Sequence, residues 1–136
     1  MIDLTLEMAE RAVRTAQAKA KALGTPMTVT VVDEAGRLVL SARGDGTGFF
    51  TPETSRAKAV AAAAFRRSTA DMAAQGAKAW GFWQAMPTIV QGQVLPTLGG
   101  APITRGGRTI GGIGCGGGTG EEDQQCAEAG AAALSG

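Results

Sequence analysis

The sequence predicts an α+β domain in which one antiparallel sheet carries helices packed on it. Two observations predict it. Strand-like segments come in pairs joined by short turns, rather than alternating one by one with helices. Helical segments precede, separate and follow those pairs. The chain has 136 residues, 44% of them hydrophobic and 18% charged, which suits one domain, residues 1–136, with a real core.

Asp3 to Leu23 reads as a long amphipathic helix, with Met8, Ala12, Val13, Ala16, Ala20 and Leu23 on one stripe. Gly24 suits the position just past its end, and Pro26 forbids continuation. "MTVTVV" (27–32) alternates and is β-branched, so it reads as a strand. "DEAG" (33–36) turns the chain, with Asp33 as an Asx-type turn former, and "RLVLSAR" (37–43) returns. "GDGTGFF" (44–50) is a loop. Thr51-Pro52-Glu53 then opens a helix running to about Arg67, with Thr51 as N-cap. A shorter helix follows from a cap at Ser68 or Thr69. "GAKAWGFWQAMP" (76–87) carries both tryptophans and gives no clear pattern. "TIVQGQVLP" (88–96) reads as a short strand or an extended loop. "GGAPITRGGRTIGGIG" is a second hairpin turning at Arg105–Gly107, and Glu121 to Leu134 is the last helix.

Composition excludes several function classes. Thirteen basic and 12 acidic residues leave a net charge of +1, with no footprint for nucleic acid or an anionic membrane. No apolar run approaches the roughly 20 residues that span a bilayer. The N-terminus is polar and lacks the pattern of a signal peptide, so a soluble, cytoplasmic protein is expected. The chain has no His and no Tyr. It therefore has no imidazole base, no Ser-His or Cys-His dyad and no imidazole metal ligand. Cys115 and Cys126 match no zinc spacing. No metal site is expected, and a disulfide is not expected in a reducing compartment.

"TIGGIGCGGGTGEEDQQC" (109–126) contains Gly112, Gly114 and Gly117 in the spacing G-x-G-x-x-G. A dinucleotide turn needs a βαβ unit and an acid about 20 residues further on. Only 19 residues follow Gly117, and they hold one helix. No Gly-Lys-Ser/Thr follows either. Glu121, Glu122 and Asp123 already occupy the first helical turn, where they would repel a phosphate. The stretch reads instead as a Gly-rich strand end where another backbone, a ligand or a subunit approaches closely.

Some side chains invite chemistry. Cys115 at the strand end, beside a helix N-terminus, reads as a nucleophile or ligand, or as a small buried hydrophobe. Cys126 sits on a small-residue stripe and reads as core. Lys58 in "SRAKAVAAAAF" reads as a partly desolvated base or anion ligand, or as a lysine snorkelling from an exposed face. Arg43 and Asp45 share a face if the strand reaches them; they then bind a carboxylate and orient a proton donor, or pair to close the hairpin. Trp80, Phe82 and Trp83, with Phe49 and Phe50, line an apolar pocket or an interface between copies.

Several segments together resemble one family. "GTPMTVTVVDEAGRLVLSARGDG", "SRAKAVAAAAF" followed by Ser68-Thr69, and "GGAPITRGGRTIGGIGCGGGTGEED" match, in order, the pattern of the GlcG/HbpS-like family, also described as the C-terminal domain of PduO-type corrinoid proteins. The resemblance spans nearly the whole chain. It implies a profilin-like fold with about five antiparallel strands, and self-association from dimer to octamer. It also implies a small-molecule ligand, haem or a corrinoid. Here Cys115 stands where the family pattern has Val, and Gly116 where it has Ser. Some relatives use His as an axial haem ligand; in this chain Cys115, Thr69, Thr119 or a Met would have to serve. On this reading the ligand sits between the sheet edge, the Gly114–Thr119 turn and the aromatic segment, touching Arg43, Thr69, Trp80, Trp83, Gly114, Gly116 and Thr119. The alternative is a cofactor-independent lyase, isomerase or hydrolase acting on a small organic acid or carbonyl compound. In it Cys115 is the nucleophile, Lys58 or Asp45 assists and Arg43 holds the carboxylate.

Overall fold

The structure is a computed structural model that describes residues 2–78 and 81–135. Five helices and four strands follow the order α1 (Leu6–Leu23), β1 (Thr28–Asp33), β2 (Leu38–Ala42), α2 (Thr51–Phe65), α3 (Thr69–Lys78), α4 (Phe82–Ile89), β3 (Gly100–Arg105), β4 (Arg108–Gly116) and α5 (Gly120–Ala132). The sheet has the order β2-β1-β4-β3, and every neighbouring pair is antiparallel. Both predicted hairpins are present, and the second turns at Gly106-Gly107. No helix among the described residues is long and apolar enough to cross a membrane.

The two faces of the sheet are built differently. Val29 and Val31 of β1 and Ile113 and Cys115 of β4 point into an apolar core shared with α1 and α5. Alternation turns Thr28, Thr30, Gly112 and Gly114 to the other face, under α2. There Thr30 Oγ1 lies 2.7 Å from Ser55 Oγ, and Thr51 Oγ1 lies 2.8 Å from Thr28 Oγ1. Glycine lets the helix settle directly on the strand. A Cβ at Gly112 would run into the carbonyl of Ala59, and one at Gly114 into the carbonyl of Ser55. The alanines of α2 serve the same close approach. Outside α2, α3 and α4 enclose a second small core of Ala61, Met72, Trp83 and Val94.

Five expectations are corrected. The sheet has four strands among the described residues, not about five. The segment expected as a short strand or an extended loop at 88–96 holds no strand: it ends α4, turns with Gln91 and Gly92 both at positive φ (57° and 78°), and runs on as loop over 93–96. The first helix starts at Leu6 because Thr5 Oγ1 accepts the N–H of Met8 at 3.2 Å. Thr51 does not cap α2: the N-cap is Phe50 without a side-chain bond, and the Thr51 hydroxyl is turned toward β1. That helix stops at Phe65 because Arg66 takes the left-handed conformation at φ 55°.

Candidate functional site

The end of β4 and the start of α5 meet α2 and α3 around a buried polar cluster. Lys58 is 7% exposed and Asp123 4%. Lys58 Nζ lies 3.2 Å from Asp123 Oδ2 and donates to the Cys115 carbonyl at 2.9 Å. Asp123 Oδ1 accepts the Gly118 N–H at 2.9 Å. Burial raises the Asp123 carboxyl above the ordinary carboxylate range, against the pull of the Gly118 N–H and of Lys58. Beside this pair, Thr69 Oγ1 accepts the Gly100 N–H at 2.7 Å, and Gln124 Oε1 accepts the Gly99 N–H at 2.7 Å. The Gln124 amide donates to the Gly100 carbonyl and to Glu128. Every buried side-chain nitrogen and oxygen among the described residues has a partner. This cluster therefore joins five elements, with each of its buried polar atoms partnered inside the protein.

Cys115 does not supply the expected nucleophile. It is 0% exposed, its side chain points into the α1–α5 core, and only its carbonyl meets Lys58. Burial pushes its thiol well above the ordinary range; Cys126 and Asp123 add to this and Lys58 opposes it. Cys126 is buried too, as expected, with its thiol pushed up to about 11. Neither is a thiolate near neutral pH.

The other proposed residues do not gather round Cys115. Asp45 is exposed and borders a concavity shared with Gln17, Lys21 and Thr25 at the C-terminal end of α1. β2 ends at Ala42, so Arg43 and Asp45 share no strand face, and no ion pair joins them. Gly114 and Gly116 face α2, Gly116 toward Thr51 and Thr54. Thr119 is exposed, and its hydroxyl caps α5 by accepting the Glu122 N–H at 3.2 Å. Trp80 lies outside the described residues.

Trp83 stands in a different place. It is 8% exposed, and its Nε1 donates to Gln75 Oε1 at 3.0 Å. Phe65 and Phe82 meet its ring edge-on at 4.9 Å, and the Arg67 guanidinium lies 5.8 Å above it. A cleft of about 310 Å³ opens between Gln75, Lys78, Phe82 and Trp83, walled mainly by the aromatic pair. Phe82 is 56% exposed. The volume sits at the lower end of the range of small-molecule sites.

Sequence reasoning missed Asp123, Gln124, Gln75 and Lys78. Asp123 had a visible signal. It lies on one helical stripe with Cys126, Ala127 and Gly130, all buried, so a carboxylate there requires a partner.

Comparison with known proteins agrees with the fold. The family model described as "Haem degrading protein HbpS-like" matches residues 4–132. A 15.0 kDa protein encoded between dhaT and dhaS in Citrobacter freundii, described as uncharacterized, is 30% identical, covering 92% of this chain and 87% of its own. The crystal structure of a double mutant of Streptomyces reticuli HbpS superposes with a TM-score of 0.86 at 36% identity, over 96% of this chain and 86% of that one. The crystal structure titled as a PduOC–haem complex superposes with a TM-score of 0.87 at 27% identity, over 96% and 94%. With the whole-chain match and the shared architecture both in place, this chain belongs to the HbpS-like family.

Proposed function

We propose that this chain is a small-molecule-binding domain whose ligand is a planar tetrapyrrole carrying carboxylates, held at the cleft between α3 and α4. The observation that carries the reading is the cleft itself: an apolar wall of Phe82 and Trp83 with Lys78 at its rim. A flat ring stacks on such a wall, and a cation at the rim suits an acid side chain on the ring. The family supports it, as does the haem complex of the PduOC relative.

Haem fits this chain by its ring, not by its iron. Cys115 and Thr69 are wholly buried and hydrogen-bonded or packed in place, and Thr119 is committed to its cap. None of the three reaches the cleft, so no iron ligation is assigned to them. A corrinoid fits less well, because its macrocycle is puckered and its amide arms do not match a cationic rim. A cleft of this size covers only part of a ring, and self-association, from dimer to octamer as the family resemblance implies, would cover the rest.

Titration with haemin, read by the Soret band, and with metal-free protoporphyrin IX, read by its fluorescence, tests the proposal. Both bind with similar affinity, Phe82→Ala and Lys78→Ala each weaken binding at least about fivefold, and cobalamin does not bind. Failure of both porphyrins to saturate, or equal binding by both variants, removes the reading.

A further inference from the structure

α4 is apolar on both of its sides. Trp83 faces inward, and Met86 and Val90 pack with it in the small core outside α2. On the outer side Phe82, Ala85, Met86 and Ile89 follow the spacing i, i+3, i+4, i+7 and form one stripe. Phe82 and Ile89 are each more than half exposed, Ala85 is exposed and Met86 is half-buried. A helix that is apolar all round belongs inside a protein. We propose that this outer stripe is the contact between two copies of the chain, with their α4 helices crossing antiparallel about a two-fold axis that passes between Ala85 and Met86.

Charge is the first observation that names a second copy. The 26 residues from 79 to 104 include no Asp, Glu, Lys or Arg, in a chain of which 18% is charged. Loss of charge with aromatic residues and Met retained marks the core of an interface rather than a wet surface. A charged partner laid on this face loses hydration and gains no counter-charge. An anionic membrane needs Lys or Arg beside the apolar stripe, and α4 carries neither. A neutral face suits its own copy, because the two meet without like-charge repulsion.

The stripe itself is the second observation. Its steps of three, one and three residues read the same from either end. In a two-fold contact residue i meets j and j meets i. Two antiparallel copies therefore set Phe82 against Ile89 of the second copy, at both ends, and Ala85 against its Met86. Large side chains meet at the ends. At the crossing a small one meets a flexible one, which lets the helices approach. Eight residues span only about 12 Å of helix axis, less than a standard interface of about 800 Å² per partner covers. Exposed Gln91 and Gln93 continue the neutral surface past the helix. The contact is thus weak and concentration-dependent. Phe82 also walls the α3–α4 cleft, so Ile89 of the second copy joins the rim of that cleft, whatever ligand the cleft takes.

Cross-linking of the whole chain, with no porphyrin added, tests the contact. Ala85→Cys places a thiol beside the two-fold axis, and the native Cys115 and Cys126 are wholly buried. A short bis-maleimide links Ala85→Cys into dimers, with a yield that rises with protein concentration. Ala18→Cys, exposed on α1 across the sheet, does not link. Ile89→Lys added to Ala85→Cys lowers the yield at least about tenfold, because it sets an unpaired charge against Phe82. Its melting temperature is unchanged, since Ile89 is exposed within one copy. Phe82→Asp added to Ala85→Cys lowers the yield likewise. Mixing the two chains restores it: one end of the contact gains an ion pair and the other regains Phe82 on Ile89. Absence of linking, equal linking by the α1 and α4 cysteines, undiminished linking with a folded Ile89→Lys chain, or no recovery in a mixture of folded chains overturns the proposal. The porphyrin titrations use no cross-link, so the tetrapyrrole reading and this one stand or fall separately.

Discussion

Lys58 on α2 and Asp123 on α5, 65 residues apart in sequence, meet at 3.2 Å with almost no solvent on either side. Each has a second duty: Lys58 holds the Cys115 carbonyl near the end of β4, and Asp123 holds the Gly118 N–H. Removing one partner strands a buried charge. Lys58→Met should therefore cost about 3–5 kcal/mol at neutral pH. The double variant Lys58→Met/Asp123→Asn keeps an acceptor for Gly118 and strands no charge, so it should recover much of that loss. Urea denaturation of the four forms of the cycle measures it, and additive losses would show that the pair is not coupled.

Acid acts on this pair in the less familiar direction. The folded Asp123 carboxyl is raised above its unfolded value, chiefly by burial. A raised carboxyl contributes stability that is fully present below the ordinary carboxylate range and is lost as pH rises through the folded value. Asp123 is thus not a site of acid denaturation. Carbon-detected NMR should place its titration above that of the exposed carboxylates, and Lys58→Met should move it higher still and gain stability on mild acidification. A midpoint at or below the ordinary range would contradict the account.

Local chemistry made most of the fold legible. The β-branched run at 27–32, the Asp-x-x-Gly turn and the glycines at 106–107 name their hairpins without help from the rest of the chain. Thr119 and Glu122 form a capping box at the start of α5, a signal that the reading of Thr119 as a ligand contact passes over. The missing strand failed for the opposite reason: "TIVQGQVLP" is apolar enough for a sheet, but its start belongs to α4, local bonds from Gln91 to Thr88 and from Gly92 to Pro87 close a turn, and only then does the chain meet α2, with the Leu95 N–H on the Ala57 carbonyl. Trp83 was legible as an apolar wall. Lys58 was legible as a lysine among alanines, but its partner was not, because contact over 65 residues is a property of topology.

Gly114 tests how closely α2 sits on β4. A Cβ there would overlap the Ser55 carbonyl and press on the Ala59 N–H, both of them backbone. Backbone cannot move aside as a side-chain end can, so Gly114→Ala should cost about 3 kcal/mol or more and separate α2 from the sheet. Gly46→Ala is the control. It has open space around it and only its φ of 80° to strain it, so it should cost about 1 kcal/mol. Thermal melting of the two compares them, and equal losses would mean that strain rather than contact governs both.

Cys115 is the residue for which the sequence and the structure differ most in chemistry. Its side chain packs with Val29, Ile113 and Cys126 in a dry core, and burial holds it as a thiol. A thiol probe should therefore react only as fast as the protein opens, and denaturant should release both cysteines together. Cys115→Val fits a core position of nearly the same volume, so it should change stability by less than about 1.5 kcal/mol. Porphyrin binding by this variant should equal that of the native chain, because the α3–α4 cleft lies on the far side of α2 from the core. Rapid labelling of native Cys115, or loss of porphyrin binding in a fully folded Cys115→Val protein, would return chemistry to the glycine-rich turn.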